Sequence, residues 1–223
     1  MKERPILFSG PMVRAILEGR KTVTRRIAKP VKHPDLGNIY APGALVLEHE
    51  PQHVVDRACP YGQPGDRLWV RETWTDVNMC GAPALAYRAD EDIRDLMEEP
   101  GFLDDRGAFN YDDPRVKPYP FACWYAELDQ ARWRPSIHMP RWASRILLEI
   151  TSVRVERLQD ISEEQAIAEG PPGLAFPAPP GSHWVTEDGR RRAFMRLWDD
   201  VNGAGAWDAN PWVWVVEFKR VTP

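Results

Sequence analysis

Apolar residues recur along this chain in two rhythms, every second position in some stretches and every third or fourth in others, and together these predict a mixed α+β fold. Arg4 to Phe8 reads as a short strand, after which Gly10-Pro11 opens a helix with proline at its favoured first position. Met12, Val13, Ile16 and Leu17 form one apolar stripe on that helix, and Gly19 supplies a left-handed terminator. The polar run Arg20 to Arg26 follows directly as a loop or short extended piece. Residues 27–64 are rich in proline, glycine and histidine, with Ala44 to Leu47 predicted as a strand. Gly65-Asp66 makes a turn into a strand over Arg67 to Trp74, with Leu68, Val70 and Trp74 on one face and Arg67, Trp69 and Arg71 on the other.

From about residue 75 to 135 the chain turns acidic and irregular, and reads as an insertion fastened by aromatic residues such as Tyr119, Phe121 and Trp124. Ala143 to Leu158 carries the strongest strand signal, but its apolar phase slips from even positions (Ile146, Leu148, Ile150) to odd ones (Val153, Val155). A β-bulge near Thr151-Ser152 accounts for the slip. Ser162-Glu163-Glu164-Gln165 matches a capping box, so a short helix starts there and stops at Gly170-Pro171-Pro172. A proline- and glycine-rich loop runs to about Gly189. It leads into a helix with Phe194, Leu197, Trp198 and Val201 on one face, and Trp212 to Val221 is a final strand.

A length of 223 residues with 43% hydrophobic and 28% charged residues suffices for one sizeable core, so the expectation is a single domain over 1–223 with an insertion at about 75–135. No apolar run approaches a membrane span and the first residues lack the apolar segment of a signal peptide, which predicts a cytoplasmic protein with no membrane contact. The 3 cysteines, Cys59, Cys80 and Cys123, are widely spaced and odd in number, and the histidines, His138 among them, have no ligand spacing. Neither metal nor cofactor is expected. A net charge of -4 removes the case for non-specific nucleic-acid binding, so any such contact must be local, at Arg25-Arg26, Arg141 to Arg145 or Arg190 to Arg192.

The succession Gly19-Arg20-Lys21-Thr22-Val23-Thr24-Arg25-Arg26, then Gly65-Asp66 opening a strand, then the glutamate-rich helix and the closing strand Val215-Val216-Glu217-Phe218-Lys219 resembles the ASCH family, in its longer phage and prophage form. The resemblance covers residues 1–26, 65–74 and 143–221 and implies a small PUA-like β-barrel with flanking helices and a large inserted region. It implies an RNA- or nucleoside-binding protein, since some compact members are amidohydrolases that deacylate N4-acetylcytidine through a Lys, a Thr and a Glu. Carried over by motif, these fall on Lys21, Thr24 and Glu169. Arg25 stands where compact members tend to be apolar, and the insertion has no counterpart in them. Two alternatives stand beside the hydrolase: a non-catalytic RNA-binding or regulatory module, and a metal-independent single-strand ribonuclease.

The chemistry of these residue types agrees with that reading. A threonine hydroxyl needs a neighbouring base to take its proton, and a lysine serves only if burial or adjacent cations such as Arg25 and Arg26 lower its pKa. Lys21 and Thr24 share a side if their segment is helical and face opposite ways if it is extended. Glu169, in a last helical turn, opposes the macrodipole and is either a proton carrier or a solvated surface residue. Arg26 is a candidate substrate contact. Arg71 and Glu72 either face the same cleft as Lys21 or form a cross-strand ion pair. Arg141, Trp142 and Arg145 combine guanidinium donors with an aromatic plane, suited to a base and its phosphate, although a tryptophan before a strand also serves as a core anchor. The expected partner is a nucleoside or single-stranded RNA.

Overall fold

The computed structural model describes residues 1–171 and 189–221. In chain order the strands are β1 (Glu3–Leu7), β2 (Val23–Ile27), β3 (Val31–Lys32), β4 (Ile39–Tyr40), β5 (Arg67–Arg71), β6 (Trp74–Met79), β7 (Ala82–Tyr87), β8 (Ile93–Asp95), β9 (Leu147–Arg157) and β10 (Trp212–Val221). The helices are α1 (Gly10–Leu17), α2 (Ala44–Leu47), α3 (Gln52–Ala58), α4 (Glu163–Ala168) and α5 (Gly189–Asn202). The chain divides into two compact units, one formed by Met1–Ile6, Arg14–Trp69 and Ile146–Pro223, the other by Leu7–Val13 and Val70–Arg145.

The first unit is organised by a five-stranded sheet in the order β1-β5-β9-β10-β2. β9 and β10 are its longest antiparallel pair, and β10 pairs with β2 on its other side, Val215 opposite Arg25 and Val216 opposite Thr24. The phase slip in β9 is a bulge: Glu217 faces Ser152 while Phe218 faces Ile150, leaving Thr151 as the extra residue. The bulge returns Val153 and Val155 to the buried face used by Leu148 and Ile150. Across the sheet, Val23, Val213 and Val215 pack with Leu158, Ile161, Ala166, Phe194, Trp198 and Trp207.

A barrel requires its first and last strands to join. Here β1 and β2 lie at opposite ends of the order, and the remaining strands form a two-stranded sheet, β3-β4, and a three-stranded sheet, β6-β7-β8. The small PUA-like β-barrel expected above is therefore not formed; the architecture is α+β with separate open sheets. One bulge bends β9 but does not bring the sheet margins together. The ladder of β5 ends at Arg71, and Trp74, predicted on the same strand, starts β6 in a different sheet. A second correction concerns residues 44–47, which are α2 rather than a strand. Val46 and Leu47 both donate backbone N–H groups to Gly43 O, and only Leu45 of the four is buried.

α4 begins with the expected capping box: Ser162 Oγ accepts from Gln165 N, and Gln165 Oε1 accepts from Ser162 N. Its far end closes on α1 and the start of β2. Gly170 has φ +63, and a Cβ there would meet Ala15 Cβ and Lys21 Cβ at 2.9 Å each. Gly170→Ala combines the left-handed penalty with these contacts, and should cost about 2 kcal/mol or more of stability, read as a lowered urea midpoint. The predicted loop from 171 to 189 lies almost wholly outside the described residues.

The second unit holds most of the segment expected to be an irregular insertion, and it is more ordered than that. β6 and β7 form a hairpin whose two turn residues, Cys80 (φ 54) and Gly81 (φ 97), are both left-handed, as a tight hairpin of this twist requires. Gly81 N donates to Asn78 Oδ1 at 2.6 Å. The unit has its own core, with Trp74, Leu85, Tyr87, Leu96, Phe102, Phe109, Val116, Phe121, Met139 and Ala143 packed together. Trp142 packs against it, edge-on to Trp74, Phe102 and Tyr119.

Candidate functional site

The polar run after α1 becomes β2 because β10 offers it a partner, and Val23 gains burial in the core beneath α4 and α5. Alternation then puts Val23 and Arg25 on one face of β2 and Thr24 and Arg26 on the other. Lys21 lies just before the strand, where Thr22 N bonds to Ala168 O and ties the segment to the end of α4.

The Lys21 side chain has 0% exposure. Its Nζ donates to Glu169 Oε2, Glu169 O and Val23 O, each at 2.8 Å. One bond therefore satisfies a carbonyl left over at the end of α4, and another neutralises a carboxylate that the macrodipole opposes. The other carboxylate oxygen, Glu169 Oε1, accepts from Arg25 Nη1 at 3.2 Å. Arg25, also fully enclosed, donates from Nη2 to Glu156 Oε1 at 2.6 Å and to Gln165 Oε1 at 2.8 Å. The capping-box glutamine thus serves the helix start and the arginine together. The result is a chain of charge, Glu156, Arg25, Glu169 and Lys21, with its signs balanced.

Burial pushes the Lys21 amine below its ordinary pKa, with Glu169 opposing and Arg26 and Arg25 assisting. Arg26 is also lowered by burial, against the influence of Tyr61 and Glu169. Thr24 is 3% exposed, and the three bonds of the Lys21 amine named above go to Glu169 and Val23 rather than to its hydroxyl.

Of the sequence-predicted residues, Lys21, Thr24, Arg26 and Glu169 belong to the first unit, and the structure joins Lys21 to Glu169 directly. Arg71, Glu72, Arg141, Trp142 and Arg145 belong to the second. There Glu72, 1% exposed, pairs through both oxygens with Arg145 Nε and Nη2 at 2.9 Å. The partner of Glu72 is thus Arg145 rather than Arg71. Arg145 Nη1 reaches Asp90 and Asp92, and Nη2 reaches Asp90 as well, so all five of its N–H groups are engaged and none is left to hold a substrate. Burial raises the Glu72 pKa against the pull of Arg145. Trp142 is a core anchor, its backbone oxygen accepting from Arg94 at 3.0 Å, while Arg141 is exposed.

Glu156, Gln165, Asp90 and Asp92 escaped the sequence reading as site residues. For Glu156 a signal existed, since a charged residue flanked by the buried Val155 and Leu158 needs a partner; for the aspartates the acidic composition hid it. Among the described residues no group of histidine, cysteine, aspartate and glutamate is arranged to hold a metal ion, and no helix is long and apolar enough to cross a membrane. Comparison with protein-family models, with curated proteins and with solved structures finds no match to this chain.

Proposed function

We propose that this protein acts on a nucleoside or short single-stranded RNA at the junction of β2 and α4, as an amidohydrolase of the kind its resemblance to ASCH proteins implies, deacylating an N4-acylated cytidine. The observation that carries this reading is the enclosed Lys21 amine, lowered in pKa and 2.8 Å from the Glu169 carboxylate. Once it has lost its proton to solvent, Lys21 is neutral and basic. Thr24 Oγ then attacks the acyl carbon as Lys21 takes the hydroxyl proton, which needs the extended segment to turn until the two groups meet, and the C–N bond breaks with that proton delivered to the departing cytosine nitrogen. Water hydrolyses the threonine ester, releasing the acid and restoring the hydroxyl. Arg25 holds Glu169 so that one oxygen faces Lys21.

The test is turnover of N4-acetylcytidine by wild type, Lys21→Met and Thr24→Val, with folding checked by circular dichroism. Each variant should lose about a hundredfold or more, the usual size of a base or nucleophile contribution. Because the neutral amine is the active form, the wild-type rate should rise with pH to a plateau whose midpoint lies below 10.5, the ordinary value for lysine. Turnover that survives both substitutions would end the enzymatic reading.

A second reading, a non-catalytic RNA-binding module, is favoured by one observation: the Lys21 side chain has no exposed surface and its bonds are already made within the protein. Binding of single-stranded RNA with no product, unaffected by Thr24→Val, would select it. Cleavage of that RNA without nucleoside turnover would select the ribonuclease.

A further inference from the structure

The second unit contains a cleft of about 780 Å3 bordered by Arg88, Glu91, Tyr125, Leu128, Asp129 and Trp133. Four other arginines of this unit are tied to carboxylates: Arg94 to Glu99, Arg115 to Asp113, Arg134 to Asp76, and Arg145 to Glu72, Asp90 and Asp92. The cleft differs from these four. Among the described residues no hydrogen bond or ion pair holds the side chains of Arg88, Glu91 or Asp129, although a cation and two carboxylates border one space. The Arg88 guanidinium instead lies over the Trp133 ring, 5.7 Å from its centroid. Glu91 adopts φ +59, a left-handed conformation that costs a residue with a Cβ, at the turn where Glu91 N bonds to Tyr87 O.

Such a lining is complementary to a small molecule that carries one anionic group and a surplus of cationic charge. A phosphate would meet two carboxylates for one guanidinium, and an apolar ligand would strip water from three charges without replacing it. Aromatic faces favour a cation, and the volume lies within the usual range for small-molecule sites. We propose that this cleft binds a basic α-amino acid, arginine or lysine, with its α-carboxylate on Arg88, its α-ammonium between Glu91 and Asp129, and its side-chain cation against Tyr125. The shared chemistry, a carboxylate beside a cationic side chain, is also that of a basic residue at a peptide C-terminus. The site is independent of the junction of β2 and α4, and its test does not depend on turnover there.

Isothermal titration of the full chain with L-arginine, L-lysine, L-leucine, decarboxylated arginine and Nα-acetyl-L-arginine tests this. Arginine or lysine should bind at least about tenfold tighter than leucine, and the double variant Glu91→Gln/Asp129→Asn should weaken arginine by about tenfold or more, as loss of charge-assisted hydrogen bonds does. Arg88→Gln should reduce arginine to the affinity of its decarboxylated form. All three substituted side chains are exposed, so the variants should keep their fold. Weaker binding of the acetylated form identifies the free amino acid as ligand; equal binding identifies a peptide end. No binding of arginine or lysine, or binding that the double variant leaves unchanged, overturns the proposal.

Discussion

Glu169→Ala should lower the free energy of unfolding by about 3–5 kcal/mol, because removing one partner of a buried ion pair leaves the other charged and desolvated. Here two cations lose by it. Lys21 keeps the main-chain oxygens of Val23 and of residue 169, and Arg25 keeps Glu156 and Gln165. Lys21→Met should cost much less, since Glu169 retains Arg25 and the replacement fills the same space with apolar atoms. Urea unfolding of both variants measures the difference. Equal losses, or a loss below about 1 kcal/mol for Glu169→Ala, the scale of an exposed pair, would mean that the network contributes no more than surface charge does.

Trp74→Ala should remove about 3–5 kcal/mol, the range for deleting a large aromatic side chain from a close-packed core. Trp74 has 0% exposure and meets Tyr119 and Trp142 edge-on at 5.2 and 6.0 Å between ring centroids. Arg134 also lies over its ring, 5.8 Å from the centroid, while binding Asp76 at 2.7 Å. The cavity therefore loosens apolar packing and a polar clasp together. Thermal unfolding should show the loss, and Trp142→Ala, at a partly exposed position, should show a smaller one.

Where a residue's partners are near in sequence, the chain could be read closely. The capping box at Ser162, the left-handed turn at Gly19 and the bulge at Thr151 are local devices, and each appears where its pattern predicts it. The strand β10 has the predicted bounds because its run of apolar residues is long and clean. Residues 44–47 misled because four apolar residues carry no period, and the choice between strand and helix fell to Gly43 and its carbonyl. The hairpin of β6 and β7 was missed because its turn is Cys-Gly instead of the more familiar Asn-Gly, and because alanines rather than branched residues fill β7. At the candidate site, residue types were legible and pairings were not. Lys21 meets a carboxylate far along the chain, and Arg145 is saturated by residues over fifty positions away; neither spacing leaves a mark in the sequence.

Because the five-stranded sheet does not close on itself, it has two margins, β1 and β2, each with backbone groups directed outward. Such margins invite a strand from another molecule, and proteins that remain separate discourage it with charge and proline. β1 reads Glu-Arg-Pro-Ile-Leu, so Pro5 withholds an N–H from any added strand, and Glu3 and Arg4 bring charge to the same margin. At β2 the guard is different: Val23 O already accepts from Lys21 Nζ, so that oxygen is closed to an added strand. The enclosed lysine therefore serves a second purpose as a guard against self-association, one that the chain would need whether or not it touches a nucleic acid.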